Sequence, residues 1–146
     1  IFTMPNADND GRVIIKMINE FVNNHLKNSV VFTSMGQINY LSTLKYIDAV
    51  IGNSSSGLIE VPSFNIPTIN IGDRQRGRIM AESVINCSVD KNQIKSAIQK
   101  ANEKEFKQRG SKQINPYGTK NVSDKIVDIL KKAKLSDLLK KKFYNL

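Results

Sequence analysis

Short apolar segments alternate with amphipathic segments along the first half of the chain, and this alternation constrains the fold more than any other feature. The apolar segments are rich in β-branched and aromatic residues and are too short for helices, which predicts strands. We place these strands at residues 1–4, 30–32, 49–51 and 68–71, with a short one around Val84 and Ile85. Strands that alternate with helices predict an α/β domain whose parallel sheet is covered by helices on both faces.

Four amphipathic segments predict the longer helices, over residues 10–27, 38–47, 90–104 and 123–134. In the first of these, Val13, Met17 and Phe21 lie on one face, as in a helix packed against a sheet. Ser88 or Asp90 is the expected cap of the third of these helices, and Ser123 that of the fourth. The strand at 49–51 contains no polar residue, which predicts burial on both of its faces.

Composition narrows the class of protein. The 146 residues suffice for one domain, and the start at Ile1, without Met and inside an apolar segment, indicates part of a longer polypeptide. A single cysteine, Cys87, and a single histidine, His25, give neither a disulfide nor a zinc site, so we expect no metal and a reducing cytoplasm. No apolar stretch is long enough to span a membrane, and we expect no signal peptide.

The net charge of +9 raises the question of nucleic-acid binding. Much of the charge lies near the end of the chain, where lysines alternate with leucines at helical spacing, as on the solvated face of an amphipathic helix. Aromatic residues for stacking on single strands are not interspersed with them. We therefore expect no nucleic-acid partner, and keep a nucleic-acid-binding module as an alternative. The lysines are Lys131, Lys132, Lys134, Lys140, Lys141 and Lys142.

The segment GNSSSG at residues 52–57, here called the serine loop, follows the third predicted strand and precedes a helical segment. A strand, a turn of small residues and a helix N-terminus bring backbone N–H groups together, and the hydroxyls of Ser54 and Ser55 add donors for a phosphate. The alternative is that one serine caps the helix while the glycines form the turn. The loop matches neither GxGxxG nor the P-loop, since no lysine follows its second glycine.

Two further features belong to the same expected edge of the sheet. Glu60 follows Ser56 by one helical turn and could bind a ribose diol, or merely stabilise the helix dipole. The segment GDRQRGR at residues 72–78, here called the arginine loop, follows the next strand. Arginine donates two parallel hydrogen bonds to a diphosphate, although a solvated basic loop is the alternative. Because consecutive parallel strands end at one edge, the two loops predict a shared diphosphate site.

Three motifs, in this order along the chain, resemble those of the hydrolysing and non-hydrolysing UDP-N-acetylglucosamine 2-epimerases, including bacterial enzymes of sialic acid and related nonulosonate synthesis. They are PNADNDG, GNSSSGLIEV and PTINIGDRQRGR, and the similarity spans roughly residues 1–78. The resemblance implies that residues 1–146 form one Rossmann-like, C-terminal domain of a GT-B fold. The N-terminal catalytic half would then be absent from this chain.

The resemblance also implies a set of UDP-binding residues and an activity. Asn6 would contact the ligand near the cleft, Ser54 and Ser55 the phosphates, Glu60 the ribose, Arg74 the diphosphate and main-chain groups around Met35 the uracil, while Arg78 belongs to the motif with a less certain role. Such enzymes eliminate UDP to leave a glycal, and then add water or return UDP to give the 2-epimer, of the N-acetylmannosamine type.

Substrate and partners follow from the same resemblance. The ligand would be UDP-N-acetylglucosamine or a diacetamido derivative, without a cofactor, and the full-length protein would be a homodimer. No catalytic residue is assigned to this chain, which we expect to be inactive in isolation, because the family draws its acidic groups and cleft histidine mainly from sequence preceding Ile1. The alternative is the donor-binding domain of a GT-B glycosyltransferase.

Overall fold

The structure is a computed structural model that describes residues 1–5, 11–110, 114–118 and 121–133. Strands and helices alternate in the predicted order. They are β1 (Phe2–Thr3), α1 (Gly11–Asn24), β2 (Val31–Phe32), α2 (Gly36–Thr43), β3 (Val50–Gly52), α3 (Ser56–Ile59), β4 (Thr68–Ile71), β5 (Val84–Cys87), α4 (Lys91–Asn102), α5 (Lys104–Gly110) and α6 (Val122–Lys132). A 3₁₀ turn, Val61–Phe64, follows α3.

All strand pairs are parallel. One sheet contains β1 and β2. A second sheet contains β3, β4 and β5 in that order, and Ile51, Ile69 and Ile85 are in register across it. The chain is therefore an α/β protein with parallel strands in open sheets flanked by helices, which confirms the predicted fold class. Because β3 and β4 point the same way, the serine and arginine loops that follow them leave the sheet at one edge.

The main core lies between the second sheet and helices α4 and α5. Ile69 and Ile85 pack against Ala97 and Ala101 of α4 and Phe106 of α5, and all of them are buried. Helix α5 was not predicted, because Phe106 is the only large apolar residue in a strongly charged segment. No helix in the described ranges is long and apolar enough to cross a membrane.

Of the two predicted caps of α4, Asp90 is the one that caps it, since its carboxylate accepts hydrogen bonds from the backbone N–H groups of Asn92 at 3.0 Å and Gln93 at 2.9 Å. We expect Asp90→Ala to lower the free energy of unfolding by about 1 kcal/mol, because two helix N–H groups lose their acceptor. Urea denaturation measures the change. Asp90→Asn keeps a capping oxygen and serves as the matched control, so equal stabilities of the two variants would contradict this role.

Four expectations about helices and strands were wrong. Ile51 is 50% exposed because it faces a cavity, so β3 is not buried on both sides. Much of the apolar face of α1 is also exposed, including Val13 and Met17. Helix α2 ends at Thr43, before the predicted end. Ser123 does not cap α6, because the helix begins one residue earlier and Asn121 occupies the cap position without a side-chain bond.

Candidate functional site

A cavity of about 1230 Å³ opens at the carboxyl ends of the strands. Its walls are segments that follow β1, β2, β3 and β4, together with the start of α1 and part of α2. This is the position at which parallel α/β sheets bind ligands. Six residues expected from the sequence line this one cavity: Met35, Ser54, Ser55, Glu60, Arg74 and Arg78. Asn6 lies outside the described residues.

Ser54 and Ser55 have different local roles in the serine loop. Ser54 Oγ accepts a hydrogen bond from the backbone N–H of Ser56 at 3.3 Å, so this hydroxyl already takes part in a bond within the loop. Ser55 occupies the N-cap position of α3, but its side chain makes no capping bond. Its hydroxyl is therefore not used as a helix cap, although it lies at the cavity wall.

The helix dipole contributes less to this site than the sequence suggested. α3 is four residues long, and its first N–H groups bond within the loop, from Gly57 to Ser54 O at 3.2 Å and from Leu58 to Ser55 O at 3.0 Å. A dipole grows with the number of aligned peptides, so a single turn offers little positive potential. Binding of an anion would depend mainly on hydroxyl groups, the remaining N–H groups and arginine.

Glu60 follows α3 and stays in helical register with Ser56, since its backbone N–H donates to Ser56 O at 2.9 Å. Glu60 is half-buried and is one of the residues that line the cavity. Met35 lies across the cavity at the N-cap of α2, where Gly36 adopts a positive φ of 65°. Glu60 and Met35 thus line the same cavity, and the main chain beside Met35 is exposed at Gly36.

The arginine loop turns through two glycines with positive φ, Gly72 at 79° and Gly77 at 82°. Backbone bonds inside the loop, from Arg76 N to Asp73 O at 2.8 Å and from Arg78 N to Gln75 O at 3.2 Å, fix its course. Arg74 and Arg78 line the cavity, whereas Arg76 is not among the lining residues. Two of the three arginines in this loop therefore line the cavity, and the third does not.

Two lining residues, Tyr40 and Gln75, were missed by the sequence analysis. Tyr40 OH accepts a hydrogen bond from Ser56 Oγ at 2.7 Å. Burial raises the pKa of the Tyr40 hydroxyl above its ordinary value; the bond from Ser56 lowers that pKa and the nearby Glu60 carboxylate raises it. The phenol thus keeps its proton at neutral pH and can donate it towards a ligand.

Gln75 is buried and its Nε2 donates to the backbone oxygen of Asn53 at 2.7 Å. Nothing in the sequence marked either residue as part of a site. Tyr40 lies in a predicted amphipathic helix, where its polar hydroxyl is ordinary, and Gln75 is one of several polar residues in a loop. His25 lies just after α1, where it is exposed and does not line the cavity, with Nδ1 2.7 Å from Phe21 O.

Parallel strands and a cavity between the loops at their carboxyl ends define a Rossmann-like α/β fold. Residues 1–131 match the model of the UDP-N-acetylglucosamine 2-epimerase family. The chain belongs to the UDP-N-acetylglucosamine 2-epimerase family, which confirms the resemblance noted in its motifs.

Individual relatives agree with this assignment. The chain is 39% identical to the GDP/UDP-N,N'-diacetylbacillosamine 2-epimerase (hydrolyzing) of Campylobacter jejuni, over 100% of this chain and 38% of the relative. It is 38% identical to the polysialic acid biosynthesis protein P7 of Escherichia coli, over 100% of this chain and 37% of the relative. A UDP-N,N'-diacetylbacillosamine 2-epimerase (hydrolyzing) of Legionella pneumophila is 30% identical over 94% of this chain and 35% of the relative. The chain thus spans less than two fifths of the length of these proteins.

Proposed function

We propose that this chain is the UDP-binding, C-terminal domain of a UDP-N-acetylglucosamine 2-epimerase with a GT-B fold. The observation that carries the proposal is that Ser55, Glu60 and Arg74, which come from two different loops and a helix end, line one cavity. Hydroxyl, carboxylate and guanidinium groups are the partners that a phosphate, a ribose diol and a diphosphate require. Family membership favours an epimerase over a glycosyltransferase.

Within this site, each group has a proposed contact. Ser54 and Ser55 hold the phosphates, Arg74 the diphosphate, Glu60 the ribose and main-chain groups near Met35 the uracil. Asn6 contacts the ligand near the cleft, and Arg78 supplements the positive charge. The sugar would be N-acetylglucosamine or a diacetamido derivative, since the Campylobacter and Legionella relatives are named for diacetylbacillosamine.

The proposed chemistry is loss of UDP across C1 and C2 of the sugar. A base takes the C2 proton, the C–H electron pair forms the C1–C2 double bond, and the C1–O pair leaves with the diphosphate. Water, or the returning UDP, then bonds through oxygen to C1, while a proton is delivered to C2 from the face opposite the one that lost it, which inverts C2 and gives the 2-epimer. Charge grows on the departing diphosphate, so Ser54, Ser55 and Arg74 would stabilise the transition state as well as the bound substrate.

The base is not assigned to a residue of this chain, and the isolated chain is proposed to bind without turnover. One domain over residues 1–146, homodimerisation of the longer protein and a cytoplasmic location belong to the same proposal. Release of a free 2-epimer by the longer protein without an acceptor would separate the epimerase from a glycosyltransferase.

Calorimetric titration of UDP into the chain tests the binding role. We expect saturable binding, and we expect Ser55→Ala to weaken it by about 2- to 10-fold, the effect of one lost hydrogen bond. Ser96→Ala changes an exposed serine on α4 that does not line the cavity and is the matched control. A folded chain that does not bind UDP, or equal affinities for both variants, would count against the proposal.

A further inference from the structure

Gln75 is buried in a loop whose neighbouring residues are exposed. Its side chain is 3% exposed, whereas Arg74 and Arg76 on either side face solvent. Burying an amide costs free energy unless hydrogen bonds replace those it made with water. Nε2 makes such a bond to Asn53 O, across 22 residues of sequence, and thereby joins the arginine loop to the serine loop.

The carbonyl that Gln75 holds belongs to the peptide bond between Asn53 and Ser54. A trans peptide is planar, so its C=O and N–H point in opposite directions, and no cis bond occurs in the described chain. Fixing Asn53 O therefore fixes the direction of the Ser54 N–H. Within the described ranges that N–H donates to no backbone carbonyl, so it remains a donor at the start of the serine loop.

The second polar atom of the same amide is also informative. Gln75 Oε1 is buried and has no hydrogen-bond partner among the described residues, although the side chain lines the cavity. Buried acceptors in folded proteins are nearly always paired. The Gln75 amide thus combines a donor paired with Asn53 O and a buried acceptor that has no partner among the described residues.

We propose that Gln75 is a positioning residue of the diphosphate site, which holds Arg74 and the Ser54 N–H in one arrangement by joining their loops. This inference rests on the proposed function. The two loops belong to different strand ends, and without a tie each could move independently of the other. A diphosphate that contacts both loops requires their spacing to be fixed before it binds, because ordering them on binding would reduce affinity.

Variants of Gln75 in the full chain test the inference, with UDP and uridine as the two probes. Gln75→Met keeps the length of the side chain but cannot hydrogen-bond, and Gln99→Met changes an exposed glutamine of α4 as the matched control. We expect Gln75→Met to weaken UDP binding about 3- to 30-fold and uridine binding by less than about 2-fold. Gln99→Met should leave both affinities as in the original chain.

Gln75→Glu provides a second test that does not depend on the stability of the methionine variant. At pH 8 its carboxylate cannot donate to Asn53 O, whereas at pH 5 a larger fraction is protonated and can donate, because burial raises the pKa of a carboxyl group. The loss of UDP affinity relative to the original chain, measured at each pH, should therefore shrink as the pH falls. Circular dichroism at both values confirms that the fold is the same.

The outcomes separate the inference from the proposed function. An original chain that fails to bind UDP overturns the proposed function, and this inference with it. UDP binding by the original chain together with unchanged binding by Gln75→Met overturns the inference alone. An equal loss for uridine and UDP, or a loss in Gln75→Glu that is independent of pH, indicates general damage to the cavity and also overturns it.

Discussion

Replacement of Arg74 by alanine is expected to weaken UDP binding about 10- to 100-fold, the largest effect on affinity of any single change in the cavity. A hydrogen bond from a guanidinium to a phosphate is charge-assisted and stabilises a complex by about 1.5–3 kcal/mol. Arg74 lines the cavity that also contains Ser54 and Ser55. Calorimetric titration of UDP measures the loss.

The same loop supplies the control. Arg76→Ala removes an equal charge from an exposed residue that does not line the cavity, so the general attraction between a basic loop and an anion falls equally in both variants. Arg74→Lys keeps the charge but loses the planar fork, and should fall between Arg74→Ala and the original chain. Similar affinities of Arg74→Ala and Arg76→Ala would show that charge alone, and not a directed contact, attracts the ligand.

Gly57→Ala is expected to lower the free energy of unfolding by about 1–3 kcal/mol, as overpacking of a core does. A Cβ at Gly57 would lie 2.7 Å from Cγ2 of Thr68, a side chain that is 2% exposed and donates a hydrogen bond to Gly57 O at 2.7 Å. Neither side can move without breaking that bond or shifting α3 away from β4. Thermal or urea denaturation measures the change.

Two further variants isolate the clash. Gly110→Ala places a Cβ 3.6 Å from Ser83 Cβ, an ordinary contact at the end of α5, and should change stability little. Thr68→Ser removes the methyl group and keeps the hydroxyl, so in the double variant Gly57→Ala/Thr68→Ser the two effects should be less than additive. Additive losses would mean that the methyl group does not cause the destabilisation.

The serine loop could be located from sequence because its signal is local. An apolar strand, a run of small polar residues and an amphipathic segment occur within about a dozen positions, and each is recognisable by residue type. The same holds for Asp90, whose capping bonds reach only two and three residues along the chain. In contrast, the sequence did not show that α3 is a single turn, Ser56–Ile59, followed by the 3₁₀ turn Val61–Phe64.

Contacts between residues far apart in the chain had no comparable signal in the sequence. Gln75 and Asn53 are 22 positions apart, and Tyr40 and Ser56 are 16 apart, so nothing in either neighbourhood marks the partner. The exposure of Ile51 was mispredicted for a related reason. An apolar strand looks the same whether a helix or an open cavity covers its second face.

The order of strands, helices and polar loops follows from residue type alone, because hydrophobic period and turn chemistry act over a few neighbouring residues. That order was enough to predict the α/β class and the edge of the sheet at which the serine and arginine loops emerge. The residues of these two loops also contain the family motifs. Only the folded chain decided that Arg74 and Arg78 reach the cavity while Arg76 does not, and that Gln75 is buried between the loops. The direction of a loop side chain depends on backbone angles and on partners distant in sequence, and a linear pattern carries neither.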